Sequence, residues 1–275
     1  MKYRSIVLAA LGVGVWGCGD SDQPVSIEFA AKVGDQDFVC GQQYDNLGAD
    51  DTSLTLSDFR FYVSGLELQD SDGSWVAVTL DQTNFQVDDV ALLDFEDGCN
   101  NESGNAQTNT RITGTVPQGT YDGLRFGMGV PFERNHENPA TAPAPLNLST
   151  LQWDWQGGYK FLRIDSGSFS MEDWRLHLGS TGCNGDPVAG GTTECTTPNV
   201  VIVDNLGPFD PDNGTIVANF AALVEGALLD VNQPMTPVGC MAGPGDMDCA
   251  PLFGNLGLAF GGDPAPGAQS FFTAR

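Results

Sequence analysis

Apolar and polar residues alternate with a period of two along several short stretches of this chain, the spacing of a strand whose two faces meet different surroundings. Phe59, Phe61 and Val63 interleave with Arg60, Tyr62 and Ser64, which predicts one buried and one wetter face. Runs of β-branched and aromatic residues bounded by turn residues predict further strands at 27–33, 75–80, 111–116, 121–127, 159–164, 174–178, 200–203 and 216–220. Asp70-Ser71-Asp72-Gly73 has the turn chemistry to join 59–68 to 75–80 as a hairpin. About nine such strands make a β-sandwich. Helix is scarce: residues 219–229 are the best stretch for one, and their small and apolar side chains suit a strand and turn equally well.

Three stretches break the pattern. Residues 97–110 are rich in Asn, Gly and Ser, and 131–145 carry four of the prolines; both are expected to be exposed loops. Residues 233–262 are dense in Pro and Gly and hold the last two cysteines, which suggests a stapled extension. With 35 Gly and 16 Pro in 275 residues, turns are plentiful, and the expected class is all-β: a disulfide-stapled β-sandwich with long irregular loops. No internal repeat is visible, so residues 26–275 are expected to form one domain behind a short linker at 19–25.

The first residues carry an address. Lys2 and Arg4, the apolar run 6–15 and Gly17-Cys18 read as an export signal over residues 1–18. A small residue before cysteine resembles a lipobox, which makes Cys18 a lipid-modified residue, although Trp16 is an unusual neighbour there. No later stretch has the ~20 apolar residues needed to span a bilayer, so any membrane attachment would be through lipid, on a periplasmic or cell-surface lipoprotein. An oxidising compartment makes disulfides the default for Cys40, Cys99, Cys183, Cys195, Cys240 and Cys249. Of the ~15 pairings open to six cysteines, short-loop closure favours Cys183 with Cys195 and Cys240 with Cys249, leaving Cys40 for Cys99. C-x-x-C spacing is absent, which argues against a structural zinc cluster and a c-type haem.

Charge and motifs exclude more than they assign. A formal net charge of -25, from 36 Asp and Glu against 11 Lys and Arg, argues against a nucleic-acid partner. Asp50-Asp51 and Asp88-Asp89 read as solvated faces. Asp210-Pro211-Asp212-Asn213-Gly214 reads as a turn, because Phe209 and Pro211 stand where a calcium loop needs oxygen ligands. No Gly-x-Ser-x-Gly, phosphate-binding glycine loop or His-Glu-x-x-His is present, so no enzyme is predicted.

The two histidines of the chain, His136 and His177, remain. Alone, each reads as an ordinary loop or semi-buried imidazole. Between them lies Trp153-Asp154-Trp155-Gln156-Gly157-Gly158-Tyr159. On a strand, Trp153 and Trp155 would project to one face as a core stripe or a sugar-stacking platform, which gives the alternative of a non-catalytic carbohydrate-binding or surface-interaction module. The Trp-x-Trp, the Gly-Gly-Tyr after it, Gly129-Val130-Pro131, Asn135-His136 and the run from His177 through Gly179-Ser180-Thr181-Gly182 to Cys183 together resemble the MbnP family. The resemblance spans about residues 25–260 and is most specific over 127–183.

That family, also described as the four-cysteine member of a metallo-mystery pair, comprises exported copper-binding proteins, commonly lipoproteins. They are encoded beside a dihaem peroxidase-like partner of the MauG type. The resemblance implies that the partner oxidises Trp153 to kynurenine, that Trp155 stays a tryptophan, and that one copper loads afterwards. An indole nitrogen has no lone pair to offer a metal, whereas the aryl amine of kynurenine does. Related kynurenine-containing copper proteins use two imidazoles, and since no other histidine exists, His136 and His177 are the expected partners of Trp153. Met235, Met241 and Met247 are soft donors suited to Cu(I), but their wide spacing points first to packing or exposure.

Overall fold

The computed structural model describes residues 21–99, 104–154, 156–167, 173–185 and 191–275. Cys18 with the expected export signal, and Trp155, lie outside the described residues. Strand accounts for 43% of the described residues and helix for 8%, so the expected all-β class is found. Two open sheets face each other. One runs Phe272–Ala274, Thr215–Asn219, Asp22–Val33, Arg111–Pro117, Thr79–Leu80 in spatial order. The larger sheet is ordered Val201–Val203, Tyr121–Met128, Thr52–Asp70, Leu162–Ser166, Arg175–Leu178, Gly239–Cys240, with Val90–Asp94 and shorter strands also pairing along the long Thr52–Asp70 strand. Alternate residues of the inner faces fill the space between the sheets: Phe29 meets Phe61 and Phe126 edge-on, with centroids 6.2 and 5.7 Å apart.

Strand pairing begins earlier than the expected linker allows. Asp22 to Val25 are already in register with Pro117 to Gly114, because a polar strand end can still complete its backbone ladder against a neighbour. The expected helix near 219–229 is one turn, Phe220–Leu223, entered through Asn219, whose side chain accepts from the Ala221 amide at 3.1 Å. The 233–262 stretch is no mere extension. Gly239–Cys240 forms the edge strand beside Arg175–Leu178, and Cys240, Cys249, Leu252, Phe253 and Leu256 enter the core. The three disulfides join Cys40 to Cys99, Cys183 to Cys195 and Cys240 to Cys249, the pairing that loop closure favoured.

The long central strand corrects the expectation of one wet face. Phe59 and Phe61 point into the sandwich, yet Arg60 and Tyr62 on the opposite face are 1% and 0% exposed. Residues 129–154 and 156–161 cover that face and build a second core, where Tyr62, Leu92, Val130, Leu146, Leu151, Tyr159 and Phe161 pack together. The 131–145 loop is therefore not wholly exposed. Asn135 is fully buried, and Tyr62 Oη donates to the Pro145 carbonyl at 3.1 Å, so the loop satisfies polar groups that would otherwise be stranded.

Burial on this face carries a pH signature. Asp94 is completely buried, its Oδ2 has no hydrogen-bond partner among the described residues, and burial pushes its carboxyl up to about 7. The folded state keeps this proton between about pH 4 and about 7, where the unfolded chain has released it, so stability falls as pH rises through that window. In Asp94→Asn that fall should shrink. Denaturant unfolding at about pH 5 and about pH 8 should show the variant losing less stability over the interval, by on the order of 2 kcal/mol. Equal slopes would mean that Asp94 is ionised throughout.

Candidate metal centre

On the covered face of the large sheet, charged side chains form rows across the strands. Leu162, Ile164, Leu176 and Leu178 point into the sandwich core, so Arg163, Asp165, Arg175 and His177 take the other face by strand alternation. Register sets Arg60 opposite Asp94 on one side and opposite Arg163 on the other, and Arg163 opposite His177. Asp58 accepts from Arg60, through Nε at 2.8 Å and also through Nη2, and lies 3.1 Å from Arg163 Nε. Asp165 Oδ2 accepts from Arg163 Nε and Nη2 at 2.8 and 2.5 Å. Its Oδ1 lies 2.7 Å from His177 Nε2.

These groups are out of water, so pairing decides their charge. Burial works to raise the Asp165 carboxyl, but the hydrogen bond with His177 and the charges beside it outweigh burial and hold it well below the ordinary carboxylate range. Burial pushes the His177 imidazole below its ordinary value despite Asp165, so it is neutral at neutral pH. Lys160 is lowered to about 8, by burial first and by Arg163 second. Lys160 Nζ and Arg163 Nη1 both donate to the Thr150 carbonyl, at 3.0 and 2.9 Å, which ties the charged cluster to the backbone leading into Trp153.

Trp153 opens a tight loop rather than sitting on a strand. Its amide donates to the Gly158 carbonyl at 3.0 Å, and Asp154 Oδ1 accepts from the amides of Gln156 and Gly157 at 2.9 and 2.5 Å. The expected strand-borne aromatic stripe is thus not formed by Trp153, because the Asx-type turn reverses the chain there. Its ring is half-buried against the sandwich core and lies over Gly179, two residues beyond His177 and just past the end of the Arg175–Leu178 strand. A Cβ at position 179 would fall 2.6 Å from Trp153 Cζ3 and 2.6 Å from the Tyr159 carbonyl oxygen. Only glycine leaves room for the ring.

An open cavity of about 480 Å³ is lined by Trp153, Thr181, Cys183 and Met241 among others. Met241 arrives there through topology. The Gly239–Cys240 strand runs parallel to Arg175–Leu178, with Arg175 opposite Gly239 and Leu176 opposite Cys240. Carried one step past the end of the Gly239–Cys240 strand, that register would bring Met241 level with His177. Since Cys240 points into the core, alternation turns Met241 to the face that carries His177. Gly239 makes the approach possible: its φ is +86°, and a Cβ there would collide with the Arg175 backbone.

His136 has different surroundings. It caps the Phe132–Asn135 helical turn, its ring packs edge-on against Phe132 at 5.3 Å, and Nε2 lies 3.4 Å from Cys195 Sγ. Donor atoms of His136, Cys183 and Cys195 lie within 4.8 Å of one another, but both sulfurs belong to one disulfide and offer no thiolate. Of the expected trio, Trp153 is seated over Gly179, two residues beyond His177, and His136 lies against the disulfide whose Cys183 lines the cavity. Sequence reasoning passed over two residues here. Asp165 had no visible signal, and Met241 was one of three scattered methionines; of these Met235 is fully exposed and Met247 is 59% exposed.

Comparison with known proteins gives the lineage. No curated protein matches the chain. The solved structure of MbnP from Methylosinus trichosporium superimposes with a TM-score of 0.80 at 32% identity, covering 92% of this chain and 98% of that one. The MbnP family model matches residues 22–242, a span that includes Trp153, Asp165, His177 and Met241. With most of its length matched by the family model and its fold shared with a solved member, this chain belongs to the MbnP family.

Proposed function

We propose that this chain is an exported copper-binding protein of copper homeostasis, which holds one copper ion after a MauG-type dihaem protein has oxidised Trp153 to kynurenine. The observation that carries the reading is the cavity wall shared by Trp153 and Met241, with the Trp153 ring seated over Gly179, two residues beyond His177. His177 is held through Nε2 by a buried carboxylate, as metal-ligating histidines commonly are. Met241 is the next strand's residue on that face and shares a cavity wall with Trp153. Nitrogen and soft sulfur donors together suit copper, and Cu(I) in particular. An indole adds no donor, whereas kynurenine would add an aryl amine.

The proposed ligand set is therefore His177, Met241 and the residue made from Trp153, with Met241 taking the place expected of His136. The copper is cargo, and the chain needs no catalytic group of its own. Trp153 is half-buried at the wall of an open cavity, which suits oxidation by a separate haem protein. A lipid on Cys18 would anchor the protein in the periplasm or at the cell surface; among the described residues no helix is long and apolar enough to cross a membrane.

The test is co-expression with a MauG-type dihaem partner, followed by peptide mass spectrometry and metal analysis. Kynurenine at position 153 and one copper per chain are expected. Trp153→Phe, His177→Ala and Met241→Leu should each lower copper content severely, and His136→Ala should keep most of it. An unmodified Trp153 and no copper beside an active partner would overturn the reading.

A further inference from the structure

We propose that Asp165 is the positioning residue of this metal centre: it fixes His177 with Nε2–H donated to the carboxylate, so that Nδ1 is the nitrogen presented to a metal. The inference rests on the copper reading above and names the residue that sets its imidazole.

An ionised carboxylate has only acceptor sites, so the ring nitrogen 2.7 Å from Asp165 Oδ1 must carry the hydrogen. In a neutral imidazole the lone pair then belongs to the other nitrogen. Among the described residues Nδ1 of His177 makes no hydrogen bond, so nothing there competes for that lone pair. A hydrogen bond from the far side of the ring to a carboxylate also makes the ring a stronger donor.

Asp165 is itself locked. Its second oxygen takes the two-pronged fork of Arg163, and Arg163 is shared with Asp58, which takes the fork of Arg60. All four side chains are at most 1% exposed and come from adjacent strands of one sheet. A fork-bonded carboxylate in a dry site has little freedom to swing, and it passes that rigidity to the imidazole. Arg163 also donates to the Thr150 carbonyl three residues before Trp153. One cluster therefore sets both the orientation of His177 and the start of the Trp153 loop.

Two measurements decide the matter. The first uses the unaltered, metal-free protein: long-range proton–nitrogen correlation spectra of the histidine rings, which are simple because the chain has two histidines. His177 is expected as the Nε2–H tautomer, and an Nδ1–H tautomer would overturn the proposal. The second compares Asp165→Asn with the unaltered chain, both co-expressed with the haem partner and both checked for folding by circular dichroism. The variant should bind Cu(I) roughly 10- to 100-fold more weakly, with altered nitrogen scattering in the copper X-ray absorption spectrum. A purely structural Asp165 would lower stability and leave that spectrum unchanged, which would overturn the proposal, as would unchanged affinity. If the variant does not fold, the tautomer measurement decides alone. If the unaltered, kynurenine-bearing protein binds no copper, the copper reading itself fails; a copper centre that ignores Asp165 leaves that reading standing and removes only this inference.

Discussion

Arg163→Ala is expected to lower the free energy of unfolding by about 3–5 kcal/mol, the usual cost of removing one partner from a buried ion pair. The guanidinium is 1% exposed and touches Asp165, Asp58 and the Thr150 carbonyl. Its removal takes a cation from two fully buried carboxylates, leaving Asp165 with His177 and Asp58 with Arg60, and under-compensated desolvated charge is the expensive part. Denaturant unfolding measures it. The control is Arg111→Ala, which breaks the pair with Glu28 at 2.8 Å, where the two side chains are 57% and 38% exposed. That loss should be within about 1 kcal/mol, because water and salt already screen the pair. Similar losses in the two variants would mean that the charged rows beneath the site contribute little beyond packing. Copper retention should fall with Arg163 as well, since the same guanidinium holds Asp165.

Gly179→Ala is the second large effect, and it acts on the site directly. The new methyl would sit 2.6 Å from the Trp153 ring and 2.6 Å from the Tyr159 carbonyl oxygen. The carbonyl belongs to a residue pinned on both sides, by its amide to Asn135 Oδ1 at 2.8 Å and by its hydroxyl to the Leu146 carbonyl at 2.5 Å. The ring must therefore move. Overpacking of this kind costs about 1–3 kcal/mol, and displacement of the ring should sharply reduce both conversion of Trp153 and copper content. Gly254→Ala is the matched control: it lies in the Ala250–Asn255 helix, and a Cβ there has nothing within 4 Å, so stability should hold or rise by up to about 1 kcal/mol. Unfolding curves and peptide mass spectrometry read both variants. Full conversion of Trp153 in Gly179→Ala would show that the ring's seat over Gly179 has no part in its chemistry.

Local signals in the chain determine a good deal by themselves. Period-two runs determined most of the strands and the all-β class, because a strand's alternation is written in neighbouring residues. Loop closure favoured the cysteine pairing found, since two of the three bridges span 12 and 9 residues and short separations dominate the entropy. The Trp-x-Trp and the residues around both histidines were enough to suggest the family. What the chain could not show locally was which faces are covered and which distant residues meet. Arg60 and Tyr62 looked half-solvated because the residues set beside or over them, Arg163 opposite Arg60 and Pro145 and Tyr159 against Tyr62, lie roughly a hundred residues further on. Met241 looked like a scattered methionine because a parallel edge strand, more than sixty residues from its neighbour, delivers it to the cavity wall that Trp153 lines. His136 looked equivalent to His177 because composition counts imidazoles and says nothing of where each is packed. Only the tertiary structure could point to the ligand set proposed above, because donors from separate strands and loops acquire their distances only when the sheet is assembled and its outer face is covered.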